Sequence, residues 1–177
     1  MATDAEAAEF LLDRGADRVE HPGGTLLSHS RRVHAMLGAW GARPDLRFAG
    51  LCHAFYGTDG FGTALGDPGR RGELAEVVGT EAERLVYMYA SCDRRRSYPH
   101  LASPDGPFTD RFTGTVLCPP RADRRDFAEL TVANELDVLT ASAELRAAHG
   151  DALGELFTTW RPLLSTSAGR AVQDFRA

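Results

Sequence analysis

Three polar side chains fall on segments whose apolar periodicity turns them toward a core: His29, His53 and Asn134. An imidazole among apolar neighbours has two ring nitrogens to satisfy, so histidines on adjacent helices imply a shared polar pocket. Histidine titrates near neutrality and serves as general acid or base, and the Asn134 carboxamide can orient an imidazole or bind an oxyanion. The plainer alternative is a pair of structural histidines that hydrogen-bond each other. Tyr56 follows His53 by three residues; on a continuing helix it shares that face and could hydrogen-bond a substrate oxygen, or it is a buried structural tyrosine. His21, just before Pro22-Gly23-Gly24, could reach over His29. Thr58 and Asp59 stand in a glycine-rich stretch as lid candidates. Asp93 and Arg94 close a helix, and Arg94 or Arg84 could hold a carboxylate or phosphate, unless these groups pair among themselves.

Composition removes several chemistries. All 20 basic residues are arginine, so Schiff-base catalysis, covalent pyridoxal phosphate and a P-loop lysine all lack their primary amine. Arginine throughout also points to a GC-rich coding genome. The three cysteines, Cys52, Cys92 and Cys118, are widely spaced with no Cys-x-x-Cys pair, so neither a disulfide framework nor a thiolate zinc site is expected. A net charge of −5 opposes binding to nucleic acid, and the Arg94-Arg95-Arg96 run reads as a solvated turn or anion clamp. No run of about 18 apolar residues occurs and the first residues are acidic, so no membrane span or signal peptide is expected and the cytoplasm is the default location.

The elements that must position these groups are helical. Residues 5–14 form a short amphipathic helix closed by Gly15. Thr25 caps a second helix running to about Trp40, where Leu26, Ser30, Val33, Leu37 and Trp40 form one stripe bordered by His29. Pro44 opens a third that carries Phe48, Leu51, Cys52 and Phe55 and stops at Gly57. A glycine-rich loop covers 58–71. Helices over 72–78 and 80–92 follow, with Thr80 and Glu83 at capping-box spacing. The proline-rich stretch 93–120 is irregular, with a short hairpin strand over 112–117. A long helix is expected over 123–148, Gly150 separates it from a last helix over 153–164, and the tail 165–177 is frayed. The chain of 177 residues reads as one domain with its core over about 25–140.

The order and spacing of these groups resemble the HD-domain superfamily. His29 matches that family's first-helix histidine, 24 residues before His53. His53-Ala54 is similar to the defining His-Asp pair with alanine for aspartate, and Asn134, within Val132-Ala133-Asn134-Glu135-Leu136, falls where the last aspartate belongs. The stretches His21-Pro-Gly-Gly-Thr25 and His53-Ala-Phe-Tyr-Gly-Thr58 also look like an uncharacterised HD-like subgroup. The resemblance implies an all-α HD-domain-like helical bundle of six or seven helices with at most one small hairpin. It also implies a family of phosphohydrolases and iron-dependent oxygenases that hold metal through histidines and carboxylates. Both characteristic carboxylates are missing here, so no metal and no cofactor are expected. The open alternative is one iron or manganese ion at His29 and His53, joined by His21 or His100 and closed by Asp59, Asp93 or Asp137.

The resulting expectation is a metal-independent enzyme of lyase, isomerase or cyclase type. His53 is its principal acid-base residue, assisted by His29, Tyr56 and Asn134. Its substrate is a small polar or anionic metabolite, bound by His21, Thr58, Asp59, Arg84, Asp93 and Arg94, in bacterial biosynthesis. The alternatives are a metal-dependent HD-type oxygenase or phosphohydrolase and a non-catalytic ligand-binding module. The partner is a small molecule, not nucleic acid or membrane, and a homodimer is left open.

Overall fold

The structure is a computed structural model that describes residues 3–176, and among them the fold is all-α with two very small antiparallel strand pairs. Thr3 opens helix α1 (Asp4–Asp13) with a reciprocal cap, its hydroxyl accepting from the Glu6 backbone while Glu6 reaches back. Glu20–His21 (β1) and Gly24–Thr25 (β2) pair across a Pro22-Gly23 turn with Gly23 at φ 78°, so His21 is anchored in a ribbon rather than left in a free turn. Thr25 then caps α2 (Leu26–Ala39), as its position predicts.

Helix α3 (Pro44–Cys52) ends five residues earlier than the periodicity indicates. His53 is therefore the cap residue, and residues 53–56 turn away toward Gly57 at φ 71°. The loop that follows is pinned by a Thr58–Phe61 bridge and by Leu65 and Gly66 donating to the Phe55 carbonyl. Helices α4 (Gly72–Val78) and α5 (Thr80–Ser91) meet at Gly79, whose φ of 88° lets it cap the second helix. Thr80 is inside that helix, and Glu83 spends its carboxylate on Tyr56 and Arg71 instead of a capping box. A single turn, α6 (Arg94–Ser97), is capped by Asp93. The hairpin in the proline-rich stretch joins Phe108–Thr109 (β3) to Val116–Leu117 (β4), so its first strand precedes the expected segment.

The C-terminal third departs most from the sequence reading. Helix α7 (Arg121–Ala141) breaks at Ser142, whose extended backbone and hydroxyl cap start α8 (Ala143–Thr159) immediately. Gly150 lies inside α8, beside the Phe175 ring, instead of separating two helices. The stretch expected to fray is helix α9 (Thr166–Arg176), with Val172 buried in the main core; residue 177 lies outside the described residues. The core likewise exceeds 25–140, running from Ala7 and Leu11 to Phe157, Trp160 and Leu163. No helix among the described residues is long and apolar enough to cross a membrane.

The pair α2 and α3 is the frame that matters for the pocket, and α7 packs across it. Gly50 sets the α2–α3 distance: a Cβ there would lie 2.5 Å from Leu37 Cδ1 and 3.4 Å from Val33 Cγ1, both on fully buried side chains. Gly50→Ala is therefore expected to lower unfolding stability by about 1–3 kcal/mol, measured by urea denaturation. An unchanged midpoint would mean that the two helices are not in close contact there.

Candidate functional site

His29 (α2), His53 (end of α3) and Asn134 (α7) converge. The His29 Nε2 lies 3.2 Å from His53 Nε2 and 3.0 Å from Asn134 Oδ1. Both rings are fully buried or nearly so. Their orientation is dictated by the opposite edges. His29 Nδ1 is 2.6 Å from the Asp137 carboxylate, and His53 Nδ1 is 2.8 Å from the Gly50 carbonyl. Neither partner can donate, so each Nδ1 bears the proton and donates it. Asn134 is fixed by the same reasoning: its Nδ2 donates to Glu135 Oε1 at 3.2 Å, and a flipped amide would set oxygen against carboxylate.

With both Nδ1 atoms protonated, the His29 Nε2, His53 Nε2 and Asn134 Oδ1 are three acceptors facing one another. Such a cluster is stable only if one positive charge, a proton or a cation, lies among them. Asp137 is built to balance it. Burial raises that carboxyl, but hydrogen bonds from His29 and from Arg32, at 2.7 and 2.9 Å, outweigh burial and hold it below the usual range. His29 and Arg32 are one turn apart on α2, and Asn134 and Asp137 one turn apart on α7, so two helix faces interlock through four side chains.

His21 stacks on His29, centroids 3.9 Å apart and planes within 19°, and meets Phe61 edge-on at 5.4 Å. It shields the buried ring from solvent. Burial, then the neighbouring His29, pushes His21 down to about 4; the same causes in the same order push His53 down to about 3. A cavity of about 190 Å³ is lined by His21 itself together with His53, Ala54 and Asn134, and at its rim by Thr58, Asp59 and Phe61. Ala54 creates this space where a longer side chain would fill it. The volume equals roughly six water molecules, so only a small group enters without displacing the rim.

Other groups singled out by sequence lie elsewhere. Tyr56 is not beside the histidines, because the helix has already ended; its hydroxyl donates to Glu83 at 3.0 Å, and burial raises its pKa. Arg84 is held by Glu81 and Asp123 and does not line the cavity. Asp93 caps α6 and is also outside the cavity. Arg94 does line it, but its guanidinium is taken by Glu135 at 3.0 Å and by Tyr89 Oη at 3.2 Å. Sequence reasoning missed Arg32 and the role of Glu135. It named Asp137 only as a spare metal ligand, although its spacing of three from Asn134 placed it on the same face.

The three converging atoms also suit a metal face by distance, since donors 3.0–3.2 Å apart are compatible with bonds of about 2.1 Å to one ion. The outer anchors, carboxylate and carbonyl, are those that metal-bound histidines use. The donor set is neutral, however, and the nearby carboxylates Asp137 and Glu135 are committed to arginines. Among the described residues, no group of three or more His, Cys, Asp or Glu side chains could hold a metal ion.

In comparisons with known proteins, the family described as a domain of unknown function (DUF6817) matches residues 10–94, a little under half of the chain. That span includes His21, His29, His53, Thr58 and Asp59 and ends before Asn134 and Asp137. No curated protein and no solved structure matches the chain.

The depressed histidines make stability pH-dependent. Between about pH 6.5 and 3 the unfolded chain binds protons that folded His21 and His53 refuse, so stability falls as pH falls through that window, and Asp137 adds to the loss below about pH 4. Urea midpoints should decline from pH 7 to pH 4, by up to about 1.4 kcal/mol per pH unit for each fully coupled proton. A midpoint that rises toward pH 4 would contradict neutral His21 and His53 in the folded state.

Proposed function

We propose that the chain is a divergent HD-like enzyme that moves protons on a small polar metabolite without a metal, in an elimination, isomerisation or cyclisation. One observation carries the reading: the His29 and His53 Nε2 atoms, 3.2 Å apart, have both Nδ1 protons committed elsewhere and so share one exchangeable proton. His29 is backed by the Asp137 carboxylate, and His53 is the face that the cavity reaches. In the forward direction the substrate donates to His53 Nε2 or receives the shared proton, and the Asn134 carboxamide oxygen steadies the imidazolium form of His29. Arg32 and Asp137 do not line that cavity and act as positioning residues.

A second reading has its own observation. The spacing of the three acceptors and their outer hydrogen bonds would let His29, His53 and Asn134 cap one divalent transition ion, which would supply Lewis acidity and an activated water. The neutral donor set beside two committed carboxylates supports the proton over the ion.

Protein purified without chelators should contain well under one equivalent of iron, manganese and zinc by elemental analysis. Wild-type protein incubated with a small-metabolite extract should deplete at least one compound, and His29→Ala and His53→Ala should each slow that depletion by about 10²–10⁴-fold. One equivalent of a transition metal that is lost in His53→Ala would replace the metal-free reading with the metal one. Undiminished depletion by both variants would end both.

A further inference from the structure

We propose that the groove between the last two helices binds a small amphipathic anion, a phosphate or carboxylate carried on an aromatic or aliphatic body. The groove lies between the end of α8 and one face of α9 and has a volume of about 450 Å³. It continues toward the start of α9 past Arg161, Leu164, Gly169 and Gln173. It shares no lining residue with the His53–Asn134 cavity and is therefore a separate site.

Its charge is one-sided. Arg161, Arg170 and Arg176 border it, and no aspartate or glutamate among the described residues does; Glu155 on α8 and Asp174 on α9 are not part of its walls. Arg176 donates to Thr158 Oγ1 at 2.6 Å, whereas the guanidinium groups of Arg161 and Arg170 have no hydrogen bond or ion pair among the described residues. Other arginines of this acidic chain are neutralised where they cluster with carboxylates: Arg43 meets Asp45, Glu81 and Asp126, and Arg84 meets Glu81 and Asp123. Three positive charges around one hollow without a carboxylate make the local potential positive, and planar guanidinium groups hold phosphate or carboxylate through paired N–H donors.

The floor asks for more than a bare ion. Phe157 and Val172, 1% and 5% exposed, form its base with Leu164, so a ligand with an apolar body gains by covering them. Gly169 is an independent second feature. It is buried within α9, its φ is not positive, and a Cβ built on it would meet no atom within 4 Å. Neither backbone conformation nor packing calls for glycine there, and glycine weakens a helix relative to alanine. The missing side chain leaves the hollow open above the helix backbone, between the apolar floor and the arginines.

The test is an NMR titration of the full chain at neutral pH with phenyl phosphate, inorganic phosphate, benzyl alcohol and benzylammonium. Phenyl phosphate is expected to shift the backbone resonances of Val172 and Gln173 saturably, and the other three probes to bind there at least about tenfold more weakly. Replacing both free arginines, Arg161→Gln with Arg170→Gln, should weaken phenyl phosphate by about tenfold or more with an unchanged melting temperature. Gly169→Leu, which places a side chain in the hollow without a clash at its Cβ, should abolish the saturable shift without lowering the melting temperature. Equal binding of benzyl alcohol, benzylammonium or inorganic phosphate, undiminished binding of phenyl phosphate by the double arginine variant or by Gly169→Leu, or no saturable shift with any probe would overturn the proposal.

Discussion

Everything at this site follows from where two protons are tied down. The Asp137 carboxylate and the Gly50 carbonyl can only accept, so they fix the Nδ1 protons of His29 and His53. That leaves the His29 Nε2 lone pair 3.2 Å from the His53 Nε2 lone pair and 3.0 Å from the Asn134 oxygen, on largely buried side chains. Lone pairs so placed repel unless a charge joins them, and the low local dielectric magnifies both the repulsion and the reward for resolving it. The fold must therefore supply rigid positions, and it does so with three helices rather than loops. The α2–α3 contact is set by Gly50, α7 is locked to α2 by Arg32 and Asp137, and His21 seals the remaining face.

The same constraint divides labour among residues that look alike in sequence. His29 is the buried, carboxylate-backed ring, whereas His53 is reachable from the cavity and burial disfavours its charged form. The two arginines expected at the substrate both have partners within the protein. Arg84 ties α5 to α7 through Asp123, and Arg94 closes the polar cluster of Glu135 and Tyr89.

Much of this was legible in the sequence, for identifiable reasons. The inward positions of His29 and Asn134 follow from 3.6-residue periodicity on long helices, where a misplaced boundary does not rotate the face. Tyr56 was misplaced because the same periodicity was carried past Cys52, into residues whose path is decided by Gly57 and by the Phe55 carbonyl binding residues 65 and 66. The C-terminal helix α9 was hidden because small polar residues such as Thr166, Ser167 and Gly169 have weak helical preference, and packing of Val172 on the core overrides it. The carboxylate partner of an imidazole lay 108 residues away, and nothing local marks such a pairing.

The most direct measurement is long-range ¹H–¹⁵N NMR of the histidine rings in the free protein at neutral pH, which separates protonated from unprotonated ring nitrogens. The account predicts that Nδ1 is fully protonated in both His29 and His53 and that a single Nε2 proton is shared between them. It also predicts that Asp137→Asn removes that shared proton while leaving the His53 tautomer unchanged. A His53 ring protonated at Nε2 and bare at Nδ1, or a bare His29 Nδ1, would contradict it.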